Sequence, residues 1–227
     1  MYHYEYVSRE EAAPYRDEFL DIIHEAQNLL RDSFTFSYDL IGSSARNMIT
    51  CDYRTNKGFD FDVNLRVNDD EENYSAEEIK KMIISAIDRV APRRGFRHCE
   101  NSTRVITLKK YHSRTNRIEY SCDFAIVYDY NDAKGEKHQQ YIRYNKKQRS
   151  YTWEEQPDGY HLNEKVDWIK KRGLWDEVRD LYLEKKNSNT DSDKKSRALY
   201  AESIHEICQK SGYYKEVRNH GHIRNSR

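Results

Sequence analysis

Phe59-Asp60-Phe61-Asp62-Val63-Asn64-Leu65 is the stretch from which the rest of the chain can be read. Apolar and polar residues alternate strictly, the period of a β-strand with one buried face. Phe59, Phe61, Val63 and Leu65 belong to that face. Asp60 and Asp62 therefore share the opposite one, about 7 Å apart along the backbone. A solvated strand face shows the same pattern, so the surrounding residues have to decide its meaning.

Upstream, residues 34–41 are β-forming and run directly into Gly42-Ser43-Ser44-Ala45-Arg46. Before them, Ser8 and Glu11 have capping-box spacing, followed by Tyr15, Phe19, Ile22, Ile23, Ala26, Leu29 and Leu30 at helical intervals. Downstream, Ser75 and Glu78 form a second capping box. The helix behind it carries Ile79, Met82, Ile83, Ala86, Ile87 and Val90 and is closed by Pro92 and Gly95. Two further strands are expected at residues 104–111 and 117–130, the second bearing Asp123 with Cys122 and Phe124 turned the other way. The order helix, strand, strand, helix, strand, strand predicts an α/β (α+β) fold with a mixed sheet flanked by helices.

The later residues differ. Residues 134–157 are polar and basic with interleaved aromatics, read as a connecting segment in the form of an edge hairpin or an ordered loop. Short helical stripes follow at Val166, Trp168 and Ile169, at Leu174, Val178, Leu181 and Tyr182, and at Ala198, Leu199, Ala201, Ile204, Ile207 and Cys208. The expected organisation is an α/β domain over 1–133, the connecting segment over 134–157, a small helical domain over 158–212 and a polar tail over 213–227.

Composition bounds the function. The 227 residues carry 39 Lys+Arg and 39 Asp+Glu, for a net charge of zero, so no protein-wide electrostatic grip on nucleic acid or acidic lipid is expected. Mean hydropathy is −1.11, yet 19 Tyr, 7 Phe and 3 Trp supply the bulk a core needs. No window approaches a membrane span, and the N-terminal residues do not resemble a secretory signal. Cys51, Cys99, Cys122 and Cys208 lack any metal or redox spacing and read as reduced thiols. A cytoplasmic protein with no membrane partner is expected. Its oligomeric state leaves no signal in composition.

Asp60, Asp62 and Asp123 converging on one sheet face would repel one another, and hard divalent cations, Mg²⁺ or Mn²⁺, would remove that cost. With Gly42-Ser43 at the end of one strand, Asp60-Phe61-Asp62 on a later one and Cys122-Asp123-Phe124 on another, the chain resembles the polymerase-β-like nucleotidyltransferase superfamily, as a small bacterial or phage-type member. The resemblance covers roughly residues 15–130. It implies that Asp60 and Asp62 bind both metals and that Asp123 is the third ligand. It implies too that Gly42 and Ser43 hold the triphosphate of an incoming nucleotide, and Arg46 just after them is a further phosphate candidate. The chain departs from compact members by a polar insert over 51–58, which lengthens the path from Ser43 to Asp60.

The resemblance implies transfer of a nucleoside monophosphate from a nucleoside triphosphate, with release of pyrophosphate. The hydroxyl acceptor, whether nucleotide, RNA or small molecule, is not identified. Arg143, Lys146 and Lys147, with Lys137, Arg149 and nearby tyrosines, are read as candidate acceptor or phosphate contacts, against the blander reading of a solvated edge strand. Either Lys109 or Lys110 could face the phosphates. The alternative to an enzyme is a non-catalytic nucleotide- or RNA-binding module that retains the fold. A third possibility is an interaction protein that binds a partner through its helical half.

Overall fold

The computed structural model describes residues 2–54, 58–69, 72–157, 162–191 and 193–217. The elements run β1 (Glu5–Tyr6), α1 (Arg9–Leu30), β2 (Thr35–Ile41), α2 (Gly42–Ala45), β3 (Thr50–Cys51), β4 (Phe59–Asn68) and α3 (Ala76–Val90). A 3-10 turn over Ala91–Arg94 leads to β5 (Glu100–Asn101), β6 (Val105–Tyr111), β7 (Ile118–Asn131), β8 (Lys137–Asn145) and β9 (Ser150–Glu155). Helices α4 (Leu162–Lys171), α5 (Trp175–Ser188) and α6 (Ser196–Lys210) follow. Two compact units result, one over Tyr6–Gln156 and one joining the first residues to those after Gln156.

In the first unit a seven-stranded mixed sheet has the order β2-β4-β7-β6-β5, with β8 on β7 and β9 on β8. β4 and β7 run parallel, whereas β2 pairs with β4, and β6 with β7, antiparallel. The strict alternation of β4 places Phe59, Phe61, Val63, Leu65 and Val67 inside, all at most 7% exposed. β7 contributes Tyr120, Cys122, Phe124 and Ile126 to the same face. Helices α1 and α3 cover it. Phe19 of α1 is 1% exposed and meets Phe61, Phe96, Tyr120 and Phe124 at ring-centroid distances of 5.3–6.3 Å. Burying such a ring stabilises by about 1.5–3 kcal/mol.

Both expected caps start helices, but differently. Ser75 and Glu78 form the reciprocal box. At α1 the Ser8 Oγ accepts the Glu11 N–H at 3.1 Å, while the Glu11 carboxylate accepts the Tyr53 hydroxyl. Past α3, Gly95 adopts φ +78 and ends the 3-10 turn with its N–H bonded to Pro92 O at 3.0 Å.

Residues 134–157, read as a connecting segment, supply strands β8 and β9, and the hairpin continues the main sheet through the β7 pairing Val127↔Tyr141. Of the two forms expected for this segment, an edge hairpin or an ordered loop, the structure has the hairpin. All four cysteines are free thiols.

In the second unit Ile169, Val178, Tyr182, Leu199, Ile204, Ile207 and Cys208 are buried, drawn from all three helices. Asn187 bonds both backbone groups of Tyr4, at 2.6 and 3.0 Å, fastening the first residues to α5. Residues 158–161, the centre of the insert at 55–57 and the polar tail from 218 lie outside the described residues. No helix among the described residues is long and apolar enough to cross a membrane.

Candidate active site

Strand register assembles the site. Asp62 is the direct partner of Asp123 across the parallel β4–β7 pair, and Asp60 is the partner of Ser121. Since paired residues project to the same side, all three carboxylates lie on the sheet face turned away from α1 and α3. Asp60 is exposed, whereas Asp62 and Asp123 are half-buried.

Two hydroxyls fix these carboxylates. The Ser121 hydroxyl donates to Asp60 Oδ1, and the Thr107 hydroxyl donates to Asp123 Oδ1 at 2.5 Å. Thr107 reaches Asp123 because β6 places the two in register. Neither hydroxyl was singled out from sequence. Ser121 was findable, being two residues from Asp123 and so on its face; Thr107 depends on cross-strand register, which no local pattern encodes.

Electrostatics follow from the crowding. Burial, then repulsion from Asp123 and Asp60, pushes the Asp62 carboxyl up to about 6, partly opposed by Arg46. Burial also raises Asp123; the Thr107 hydrogen bond and Lys109 pull it down, while Asp60 and Glu100 push it up. Lys109 is thus the lysine on this face, held to Glu100 at 2.6 Å. Lys110 turns the other way, where its ammonium bonds the Arg94 carbonyl and lies 4.5 Å from the centre of the Phe96 ring.

At the edge of the carboxylates, β2 ends at Ile41, the register partner of Asp62, and the chain turns sharply at Gly42. Gly42 has φ +62, and a Cβ placed there would overlap Asp62 Oδ2 and lie 3.0 Å from its Cγ. A glycine is required on both counts. The following turn is closed by Ser44 Oγ on the Ile41 carbonyl at 2.8 Å and by the Met48 N–H on the Ser43 carbonyl at 2.9 Å. It returns the chain to buried Met48 and Ile49.

Gly42 and Arg46 are thus brought against Asp62, and Ser43 belongs to the same turn. Arg143, Lys146 and Lys147 are placed differently. Arg143 pairs with Glu154 at 3.7 Å across the β8–β9 hairpin, Lys147 sits in its turn, and Lys146 lies near enough to Lys80 of α3 to depress its pKa. The carboxylate that Arg143 meets comes from the neighbouring strand, a pairing invisible in a run of residues free of carboxylates.

Among the described residues, Asp132, Glu136 and His138 have ligand atoms within 4.8 Å of one another; Asp60, Asp62 and Asp123 form a wider set. Asp132 accepts the backbone N–H groups of Lys134 and Glu136, both at 2.8 Å, and so closes the β7–β8 turn.

No family model matches the chain. No curated protein matches it either. Solved structures do. A STING-associated CdnE c-di-GMP synthase from Capnocytophaga granulosa superposes with a TM-score of 0.56 at 18% identity, over 91% of this chain and 62% of that one. The CD-NTase CdnG of Bradyrhizobium diazoefficiens, in complex with GTP, gives 0.55 at 13% identity over 86% and 64%. Rhodothermus marinus CdnE c-UMP-AMP synthase with Apcpp and Upnpp gives 0.52 at 11% identity over 83% and 68%. The chain spans less than two thirds of the length of the first two. These superpositions lead to one conclusion, which concerns the fold: the mixed sheet with its flanking helices is the nucleotidyltransferase fold seen in the CD-NTases.

Proposed function

We propose that the chain is a metal-dependent nucleotidyltransferase that moves a nucleoside monophosphate from a nucleoside triphosphate to a hydroxyl acceptor and releases pyrophosphate. The observation that carries this reading is the convergence of Asp60, Asp62 and Asp123 on one sheet face, with the Gly42 backbone packed directly against Asp62. The donor set suits Mg²⁺ or Mn²⁺, being three hard carboxylates. Its excess of negative charge, felt in the raised Asp62 carboxyl, is what a divalent cation offsets. When bound, the cation supplies charge stabilisation at the transferred phosphate and activation of the acceptor hydroxyl.

The chain's own residues position the reactants. Asp60, steadied by Ser121, and Asp62 define the centre of the site. Asp123, oriented by Thr107, is assigned in this reading the role of third metal ligand, helping to activate the acceptor hydroxyl. Gly42 and Ser43 present backbone amides and a hydroxyl to the triphosphate, and Arg46 adds a positive charge beside Asp62. Catalysis of this kind rests on in-line alignment and charge stabilisation, with little covalent work by the protein. Arg143, paired with Glu154, and Lys146 and Lys147 beside it in the hairpin are given no part in the transfer step in this reading.

A second nucleotide is the favoured acceptor, because the similar structures are described as cyclic-dinucleotide synthases or hold GTP. The test is to follow α-phosphate-labelled NTPs, singly and in pairs, with Mg²⁺ or Mn²⁺, and to identify the product by mass. A phosphodiester-linked nucleotide product supports the reading. Metal-dependent NTP binding without turnover, with or without RNA, would instead support a non-catalytic binding module.

A further inference from the structure

On the opposite face of the sheet from the carboxylates, at the far end of β4, lies a cavity of about 410 Å³. That is the size of a small-molecule site. Val67 on its wall is five residues beyond Asp62, about 16 Å along an extended strand. The rings of Tyr74, Tyr128 and Trp153 line it, together with the carboxylates of Asp69 and Glu72. Tyr128 and Trp153 stand 6.2 Å apart, centroid to centroid, at 55° to one another.

Among the described residues that line it there is no Lys, Arg or His. The Ser75–Glu78 box already satisfies amides that would attract an anion, and Glu77 nearby on α3 is paired with Lys81, so the charge facing the cavity is that of Asp69 and Glu72. Three aromatic rings with the two carboxylates of Asp69 and Glu72 select an organic cation, through ring quadrupoles and through charge.

Hydrogen-bonding capacity narrows the class. Both Asp69 oxygens are engaged, accepting the Asn73 N–H at 3.2 Å and the Tyr74 N–H at 3.0 Å. The Gln140 amide donates to Glu155 at 2.6 Å. These groups offer field more than directed acceptors, which suits a cation that donates no hydrogen bonds.

We propose that this cavity is a binding site for a methylated ammonium ion, held by Tyr74, Tyr128 and Trp153 and attracted by Asp69 and Glu72. It is independent of the transfer site and of the reading given to that site.

The test is calorimetric titration of the whole chain with choline and with its uncharged carbon isostere, which has a tert-butyl group in place of trimethylammonium. Choline is expected to bind at least about tenfold more tightly than the isostere. Glu72→Gln and Trp153→Leu are each expected to weaken choline binding at least about fivefold. Because Trp153 also packs against the core, Tyr128→Leu serves in its place if the Trp153 variant does not fold. Equal binding of the isostere overturns the proposal. So does the absence of saturable choline binding up to about 10 mM, or affinity unchanged in the Glu72 and aromatic variants. Displacement of choline by inorganic phosphate would also overturn it, by making the site one for anions.

Discussion

Gly42 and Asp62 are packed so closely that no side chain fits between them: a Cβ on Gly42 would overlap the Asp62 carboxylate, and φ +62 there disfavours any L side chain. The turn after β2 is thereby locked to the middle of β4, through the same pairing that sets Ile41 opposite Asp62. Gly42→Ala is expected to cost about 1–3 kcal/mol of stability. It should also reduce transfer by more than about tenfold, by displacing Asp62. Denaturant unfolding and a turnover assay at equal folded fraction separate the two effects.

Asp62 is ionised at a cost, first of burial and then of repulsion from Asp123 and Asp60. Its carboxyl is raised to about 6 from an ordinary 3.8, so the native state binds the proton more readily than the unfolded chain. The destabilisation is complete above pH 6 and is relieved as pH falls through 6 toward 4. Asp62→Asn is expected to raise stability at pH 7 by about 1–2 kcal/mol, after allowance for solvent screening, while abolishing transfer. Mg²⁺ should raise the melting temperature of the unaltered chain and have little effect on the variant. A variant less stable than the parent at pH 7 would contradict the repulsion argument.

The hydroxyls of Ser121 and Thr107 act through the carboxylates they hold. Ser121→Ala and Thr107→Val are expected to weaken divalent-ion affinity by about 10–100-fold, as losses of supporting hydrogen bonds do. Titration with Mn²⁺, followed by its paramagnetic effect on water relaxation, reads this without turnover. Thr107→Ser, which keeps the hydroxyl, should restore most of the affinity.

Much of this arrangement was legible in the sequence because it rests on local periodicity. Alternation in β4 separated Phe61 and Val63 from Asp60 and Asp62, and the Ser75–Glu78 box marked the start of α3. Register was not legible. Which strand sits beside β4, that Thr107 reaches Asp123, and that Lys109 rather than Lys110 faces the site all depend on pairings between distant segments. The choice between hairpin and loop at residues 134–157 was open for a related reason, since it is decided by the pairings of β8 with β7 and with β9. The glycine turn was visible as a motif, but its contact with Asp62 was not.

Lys80, 1% exposed in α3, donates to the Ser102 carbonyl at 2.9 Å, and burial, then Lys146, lowers its pKa to about 8. Between pH 8 and 10.5 the unfolded chain keeps this proton while the native chain has lost it, so its contribution to stability rises with pH across that window. The stability difference between parent and Lys80→Met should therefore shift in the parent's favour by about 1–2 kcal/mol between the two ends of the window. Urea unfolding of both proteins at each pH measures it; parallel pH profiles would show that Lys80 does not titrate there.

The central claim is nucleotidyl transfer at Asp60, Asp62 and Asp123. Pyrophosphate release from each of the four NTPs with Mg²⁺ or Mn²⁺, beside the double variant Asp60→Ala/Asp62→Ala, tests it most directly. Metal-dependent release by the unaltered chain, reduced at least about a thousandfold in the folded double variant, is expected. Release that persists undiminished in the double variant would place the chemistry elsewhere and contradict the assignment.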